Sequence, residues 1–202
     1  MTAPQRCIAS HAAPSDYAPT CRVLLAKLGY ALLPPEEAPQ PDVRIVREER
    51  IGEATEPAVP LIVLTSGRIE RVGDPRITGR VKRPAGLHEI YKLLQTALEP
   101  NPRAVPRVPA RLAGRALGDD GQHWELVVES LSENGCLVSG EQLPPFDAAF
   151  TLTVEMPWGE RISVPADVAY EQGDRLGLVF HGITLGARRQ LAKLVVKLLE
   201  RL

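Results

Sequence analysis

The sequence predicts two units of different class: an α/β unit over residues 1–99, then an all-β unit over residues 100–202 that closes with a helix. Up to Leu98, short apolar runs alternate with amphipathic helical patterns, which is the signature of a mainly parallel sheet with packed helices. The segment Glu99-Pro-Asn-Pro-Arg-Ala-Val-Pro-Arg-Val-Pro109 carries four prolines, which stop a helix and remove backbone donors, so it reads as a linker. Beyond it, strands follow one another across tight turns. A chain of 202 residues has room for two compact domains.

In the first unit, Arg6 to Ala9, Tyr30 to Leu33, Val43 to Val46 and Val59 to Leu64 read as strands. A helix is expected from about Asp16, a candidate N-cap, to Gly29, a candidate C′ residue. Ala18, Cys21, Leu24, Leu25 and Leu28 lie on one of its faces. The last helix, Leu87 to Leu98, buries Leu87, Ile90, Leu94 and Ala97 or Leu98 by the same spacing.

In the second unit the predicted strands are Val108 to Leu117, Trp124 to Val128, Cys136 to Ser139, Ala148 to Met156, Arg161 to Tyr170 and Arg175 to Phe180. Turn residues separate several of them: Gly118-Asp-Asp-Gly121, Pro157-Trp-Gly159 and Gly173-Asp174. Phe150, Leu152, Val154 and Met156 alternate with Thr151, Thr153 and Glu155, so this sheet has one wet face. Six such strands make a barrel or a sandwich. Thr184 to Leu202 forms a helix with an apolar stripe opposite Arg188, Arg189, Lys193, Lys197 and Arg201, fit to cover an open barrel end or to pair with a partner helix. Trp158 is expected to fold back onto its own sheet.

Composition excludes several function classes. With 24 Lys+Arg against 25 Asp+Glu the net charge is −1, so no global field draws the chain to a nucleic acid polymer, and any anion site must be local. Cys7, Cys21 and Cys136 are too scattered for a disulfide framework, and His11, His88, His123 and His181 stand alone, so no metal site is expected. No nucleophile and base are paired by a motif, so no catalytic residue is assigned. The start of the chain has no apolar leader and no run is long enough to span a bilayer, so a cytoplasmic protein without membrane insertion is expected.

Two segments of the second unit carry a family resemblance: Arg103-Ala-Val-Pro-Arg107, continuing to Arg111, and Ser130-Leu-Ser132-Glu-Asn-Gly135 after a strand. Together with Leu176-Gly-Leu-Val-Phe180 they resemble the PilZ family, whose members bind cyclic di-GMP through an RxxxR segment and a (D/N)xSxxG segment. The resemblance implies a six-stranded PilZ-type barrel, with Arg103 and Arg107 gripping phosphate or a guanine edge, Arg111 in reserve, Ser132 donating a hydrogen bond and Gly135 allowing close backbone approach. Ser130 departs from the pattern, because its hydroxyl reaches less far than the family's Asp or Asn.

Pro41-Asp-Val-Arg-Ile-Val-Arg47, Val59-Pro-Leu-Ile-Val-Leu-Thr65 and Lys82-Arg-Pro84 resemble strands three, four and five of a response-regulator receiver domain. The matching acidic positions hold Ser10, His11 and Arg47, and an arginine can neither accept a phosphoryl group nor favour a bound Mg²⁺. The stretches from Arg47 to Val59 and from Ser66 to Thr78 are also short for full helices, so the expectation is a truncated, degenerate receiver-like domain. The whole then reads as a non-enzymatic signalling protein, without cofactor, that takes cyclic di-GMP as ligand, relays the signal to a protein partner in a motility or signalling system and has the option of a homo-oligomer. The alternative is an adaptor that has lost nucleotide binding and works as a scaffold in motility, pilus or polarity systems.

Overall fold

The computed structural model describes residues 5–67 and 73–202. It divides into two compact units, Met1–Val105 and Pro106–Leu202. The stretch from Ser66 to Thr78 and the start of the chain, both named above, lie partly outside the described residues.

The first unit contains β1 (Arg6–Ser10), α1 (Cys21–Lys27), β2 (Tyr30–Leu33), β3 (Val43–Arg47), β4 (Leu61–Thr65), β5 (Ile77–Lys82) and α2 (Leu87–Leu98). All strand pairs are parallel and the order is β2-β1-β3-β4-β5, the doubly wound order in which β1 and β3 flank the reversal point. β4 is buried on both faces, which is why it reads as an unbroken apolar run. On one face Ile8, Ile45, Ile62 and Leu64 pack against Leu25 of α1 and Ile90 of α2. Gly29 follows α1 with φ +91, as a C′ glycine does. Asp16 does not cap α1. It ends a 3₁₀ turn, Pro14–Asp16, and its carboxylate is spent elsewhere, while Thr20 stands at the helix start.

The opposite face lacks a helix among the described residues. Between β3 and β4 the chain makes a 3₁₀ turn, Glu48–Glu53, as its shortness requires, and Ile51 and Ala54 cover Val46, Leu61 and Val63. Arginines hold this cover in place. Arg44, buried within β3, donates to His11 and pairs with Glu56; Arg76 donates to the carbonyls of Ala54 and Glu56 at 2.6 and 2.8 Å; Arg50 donates to the His11 carbonyl at 3.0 Å; Arg80 pairs with Glu48 at 3.1 Å. These contacts meet both terminal nitrogens of the Arg44 guanidinium, while its Nε and Glu56 Oε2 are buried without a partner, and together they cover the face where a helix would otherwise give an apolar seal.

The second unit contains β6 (Val108–Gly118), β7 (His123–Ser132), β8 (Gly135–Ser139), β9 (Ala149–Glu155), β10 (Arg161–Gln172), β11 (Arg175–Phe180) and α3 (Leu185–Arg201). The strands close into an antiparallel barrel of order β10-β11-β8-β7-β6-β9, so the six-stranded barrel and its final helix are as the sequence implies. Closure removes the unpaired edges that an open sheet would expose. Leu131, Cys136, Val138, Leu152, Val154 and Leu178 fill the interior.

The Thr184 hydroxyl caps α3 by accepting from the Ala187 amide. Leu191, Leu194, Val195, Leu198 and Leu199 are buried where α3 packs on β6 and β7, each contributing roughly 1.5–3 kcal/mol. Trp158, in the β9–β10 turn, meets this helix. Lys197 Nζ lies 4.0 Å and the Arg201 guanidinium 4.8 Å from its ring centroid, and its Nε1 donates to Glu160. Trp158→Ala is expected to cost about 1–3 kcal/mol and to speed amide exchange in the last two turns of α3. Unchanged exchange there would show that the ring does not anchor the helix.

Candidate functional site

The segment entering the barrel carries guanidinium groups with nothing to hold. Among the described residues Arg103, Arg107 and Arg111 make no side-chain hydrogen bond or ion pair, whereas Arg115 pairs with Glu125, Arg161 with Glu155 and Arg175 with Glu129. Arg107 Nε is moreover buried without a partner, an arrangement that costs free energy unless a ligand supplies the acceptor. Arg107 sits close enough to β8 to oppose electrostatically the burial that pushes the Cys136 thiol up to about 12. Arg103 belongs to the first compact unit and Arg107 to the second. The Arg103 amide donates to Gln95 Oε1 of α2 at 3.0 Å.

Strand pairing sets the candidate residues in two rows. One row runs across five strands: Tyr170 faces Gly177, Gly177 faces Leu137, Leu137 faces Ser130 and Ser130 faces Pro109. The next row is Val179, Gly135 and Ser132, and continuing the β6–β7 register places Arg107 opposite Ser132. Leu131, Cys136 and Leu178, between the rows, point into the core, so by strand alternation both rows lie on the other side of the sheet, where Val179 and Tyr170 are exposed and Ser132 and Gly135 are covered. Neighbouring strands lie about 4.8 Å apart, so each row is the size of a nucleotide and not of a single phosphate.

Within these rows the predicted residues differ in freedom. The Ser130 hydroxyl is half-buried and has no partner among the described residues. Ser132 is 4 % exposed and donates to the Gly135 carbonyl at 2.9 Å, closing the β7–β8 turn. Gly135 has a structural duty too: a Cβ there would sit well inside contact distance of the Leu178 carbonyl oxygen on β11. Arg111 is exposed and lies within the β6–β7 bulge between Pro109 and Leu112, where the ladder lets go of the chain.

Tyr170 was not among the residues singled out above. A bulge between Val168 and Tyr170 shifts the alternation of β10 by one residue and turns Tyr170 onto the outer face, where its ring occupies the space a Cβ at Gly177 would take. One face of the ring rests on the Gly177 backbone, and the side chain is 42 % exposed beside the apolar Leu137 and Val179. An aromatic face so placed can stack on a purine. The only sequence signal was the glycine seven residues on, and glycine in a strand marks close approach of some other group.

The carboxyl ends of the first unit's strands gather Ser10, His11, Arg47, Thr65 and Lys82. Arg47 Nε donates to Asp16 Oδ2 at 2.7 Å and Arg83 reaches Asp16 Oδ1 at 3.4 Å, so a buried carboxylate is neutralised by arginines. Arg44 is always a donor, so His11 Nε2, 2.9 Å away, accepts and the ring is neutral with its proton on Nδ1. Burial first and Arg44 second hold the His11 pKa down. Among the described residues no group of His, Cys, Asp and Glu is arranged to hold a metal.

These groups predict that the first unit loses stability in acid. Arg47 and the Ala13 amide outweigh burial and hold the Asp16 carboxyl low, Arg76 holds Asp74 at about 2, and Glu53 and Glu56 are lowered by hydrogen bonds. A depressed folded pKa gives stability that is whole above the unfolded value and lost as pH falls toward the folded one. The loss therefore starts below about pH 6.5 through His11 and steepens between about pH 4 and 2 through the carboxylates. Amide exchange of β3 and β4 is expected to rise over that range before that of β7 and β8. Equal sensitivity of both units would contradict it.

The barrel and its closing helix make up a small closed β-barrel module. Residues 101–197, just under half of the chain, match the family model of the PilZ domain. A comparison with curated proteins gave no match. Among solved structures, the chain is similar to the PilZ domain with c-di-GMP of YcgR from Escherichia coli: 19% identity, 50% of this chain, 93% of that chain, TM-score 0.42. The PilZ domain of CeSA from a cellulose synthesizing bacterium is 22% identical over 46% of this chain and 97% of that one, with TM-score 0.39. The MrkH–c-di-GMP complex from K. pneumonia is 16% identical over 50% of this chain and 53% of that one, with TM-score 0.43.

Proposed function

We propose that the chain is a cytoplasmic receptor for cyclic di-GMP that relays the signal by protein–protein contact. The observation that carries this reading is the unsatisfied Arg107, whose buried Nε lacks an acceptor beside an outward row of Ser130 and Tyr170. The PilZ match over residues 101–197 supports the ligand class. In this reading Arg107 and Arg103 grip phosphate oxygens or a guanine edge with planar donor forks, and Arg111 lends charge from the bulge. Ser130 hydrogen-bonds the ligand, Ser132 and Gly135 shape the turn beneath it, and Tyr170 on Gly177 gives a base a stacking face. No step of bond making is involved, so affinity and selectivity are the only functional readouts.

Competition tests the ligand class. Labelled cyclic di-GMP held by the full chain is expected to be displaced by unlabelled cyclic di-GMP and not by GMP at the same concentration, because only the cyclic dinucleotide spans both rows. Equal displacement by GMP would sink the assignment.

A second reading, a scaffold that has lost nucleotide binding, is favoured by one feature: Ser132 is buried and spends its hydroxyl on the turn, and Ser130 replaces the longer Asp or Asn. It expects no saturable binding although the barrel is folded.

We further propose that the first unit is a degenerate receiver. The β2-β1-β3-β4-β5 order, Thr65 and Lys82 at strand ends, and the Arg47–Asp16 pair where a metal and phosphoacceptor would be needed support this. Acetyl phosphate with Mg²⁺ is expected to leave the intact mass unchanged, and a stoichiometric gain of one phosphoryl group would refute it.

A further inference from the structure

The second row on the barrel's outer side does not stop at Val179. Asp167 of β10 pairs with Val179 on one side and with Ala149 of β9 on the other, so the row runs Asp167, Val179, Gly135, Ser132 and then Arg107. Ala166 and Val168, its neighbours in sequence, are buried, so alternation turns the Asp167 carboxylate to the side of the sheet that carries Tyr170. The side chain is about half exposed, and among the described residues its one polar partner is His181, whose Nε2 lies 3.3 Å from Oδ1. Gly177, against whose backbone the Tyr170 ring rests, is two residues from Val179 on β11. Asp167 and Gly177 are thus diagonal neighbours across the β10–β11 pair, about 7–8 Å apart, a separation that an aromatic group bridges.

No other member of either row is acidic. A carboxylate repels a phosphate diester, so it serves such a ligand only where it faces hydrogen-bond donors. Guanine offers them: N1–H and the 2-amino group point along one edge, and a carboxylate accepts both. Adenine has an acceptor at N1 instead, which a carboxylate repels.

We propose that Asp167 is a specificity-determining residue of this surface: it accepts from the N1–H and 2-amino edge of a guanine stacked on the Tyr170 ring and rejects adenine. This rests on the reading of the barrel surface as a cyclic di-GMP site. A base centred on the ring, its edge half a ring width out and one hydrogen bond of about 2.9 Å beyond, spans most of the diagonal. With Arg107 at the β6 end of the row and Asp167 at the β10 end, phosphate is drawn to one end and the base edge to the other. A ligand without the matching donors leaves the carboxylate desolvated and unmet, which is how such a site discriminates.

The test is calorimetric titration of the full chain with cyclic di-GMP, cyclic di-AMP and cyclic di-IMP, the last of which lacks the 2-amino group. The parent is expected to bind cyclic di-GMP about 100-fold tighter than cyclic di-AMP and about tenfold tighter than cyclic di-IMP. Asp167→Ala is expected to weaken cyclic di-GMP binding about 30-fold, to leave cyclic di-AMP binding no weaker, and to make cyclic di-GMP and cyclic di-IMP bind alike. Asp167→Asn, equal in size, takes the place of the alanine variant if that one does not fold, with losses in the same order. Equal affinity of the parent for cyclic di-GMP and cyclic di-AMP, or an equal loss for all three ligands in the folded variant, would overturn the specificity role and leave the receptor reading intact. Absence of binding of any of the three by the parent chain would overturn both.

Discussion

Gly135→Ala is expected to lower the barrel's thermal midpoint by about 10–20 °C, the largest stability effect of any single methyl group in the second unit. The added Cβ would press on the Leu178 carbonyl oxygen, a backbone atom held in the β8–β11 ladder that cannot swing away as a side-chain tip would. Relief requires moving β11, whose Leu176, Leu178 and Phe180 are buried in the interior, so the cost is about 3 kcal/mol or more. Scanning calorimetry of the full chain measures it. A shift under about 2 °C, well below that of a 1 kcal/mol change, would mean that the strands are looser than their pairing implies. The result bears on function as well: the glycine of the ligand-binding pattern is required by the fold whether or not a ligand is present.

Arg107→Met is expected to weaken cyclic di-GMP binding about 100-fold while leaving the barrel at least as stable as before. The loss follows from removing charge-assisted hydrogen bonds worth about 1.5–3 kcal/mol, with long-range attraction in addition. The stability result follows from the buried Nε, which in the free protein is desolvated without an acceptor, so an apolar side chain of similar length relieves a penalty and keeps the packing of the stem. Calorimetric titration and thermal unfolding of the same sample read both effects. A variant that loses stability and affinity together would place Arg107 in the structure and not at a ligand.

What the sequence made legible, and what it hid, follows from the range of the interactions involved. β4, α2 and the alternating β9 were visible because one strand, one helix face or one wet sheet determines their pattern locally. β5 leaves no such pattern in its own residues. Its Gly79 looks like a break, yet it is there because Leu93 of α2 fills the place of a Cβ, a contact made across the sheet. Asp16 resembled a helix cap because the residues that claim it, Arg47 and Arg83, lie 31 and 67 positions away. The candidate site divided in the same manner. Arg103, Arg107, Ser130 and Ser132 are candidates by pattern alone, and the pattern could not tell that Ser132 is committed to a turn. Tyr170 was hidden because a bulge, which sets the face of every residue after it, leaves no mark in composition.

The direct test of the central claim is titration of the full chain with cyclic di-GMP by calorimetry at fixed, moderate salt. The arrangement of Arg107, Ser130 and Tyr170 on the barrel predicts saturable heat with a Kd at or below about 1 μM, equivalent to roughly −8 kcal/mol. No saturation at millimolar ligand, with the barrel shown to be folded in the same cell, would contradict the receptor account and leave the scaffold.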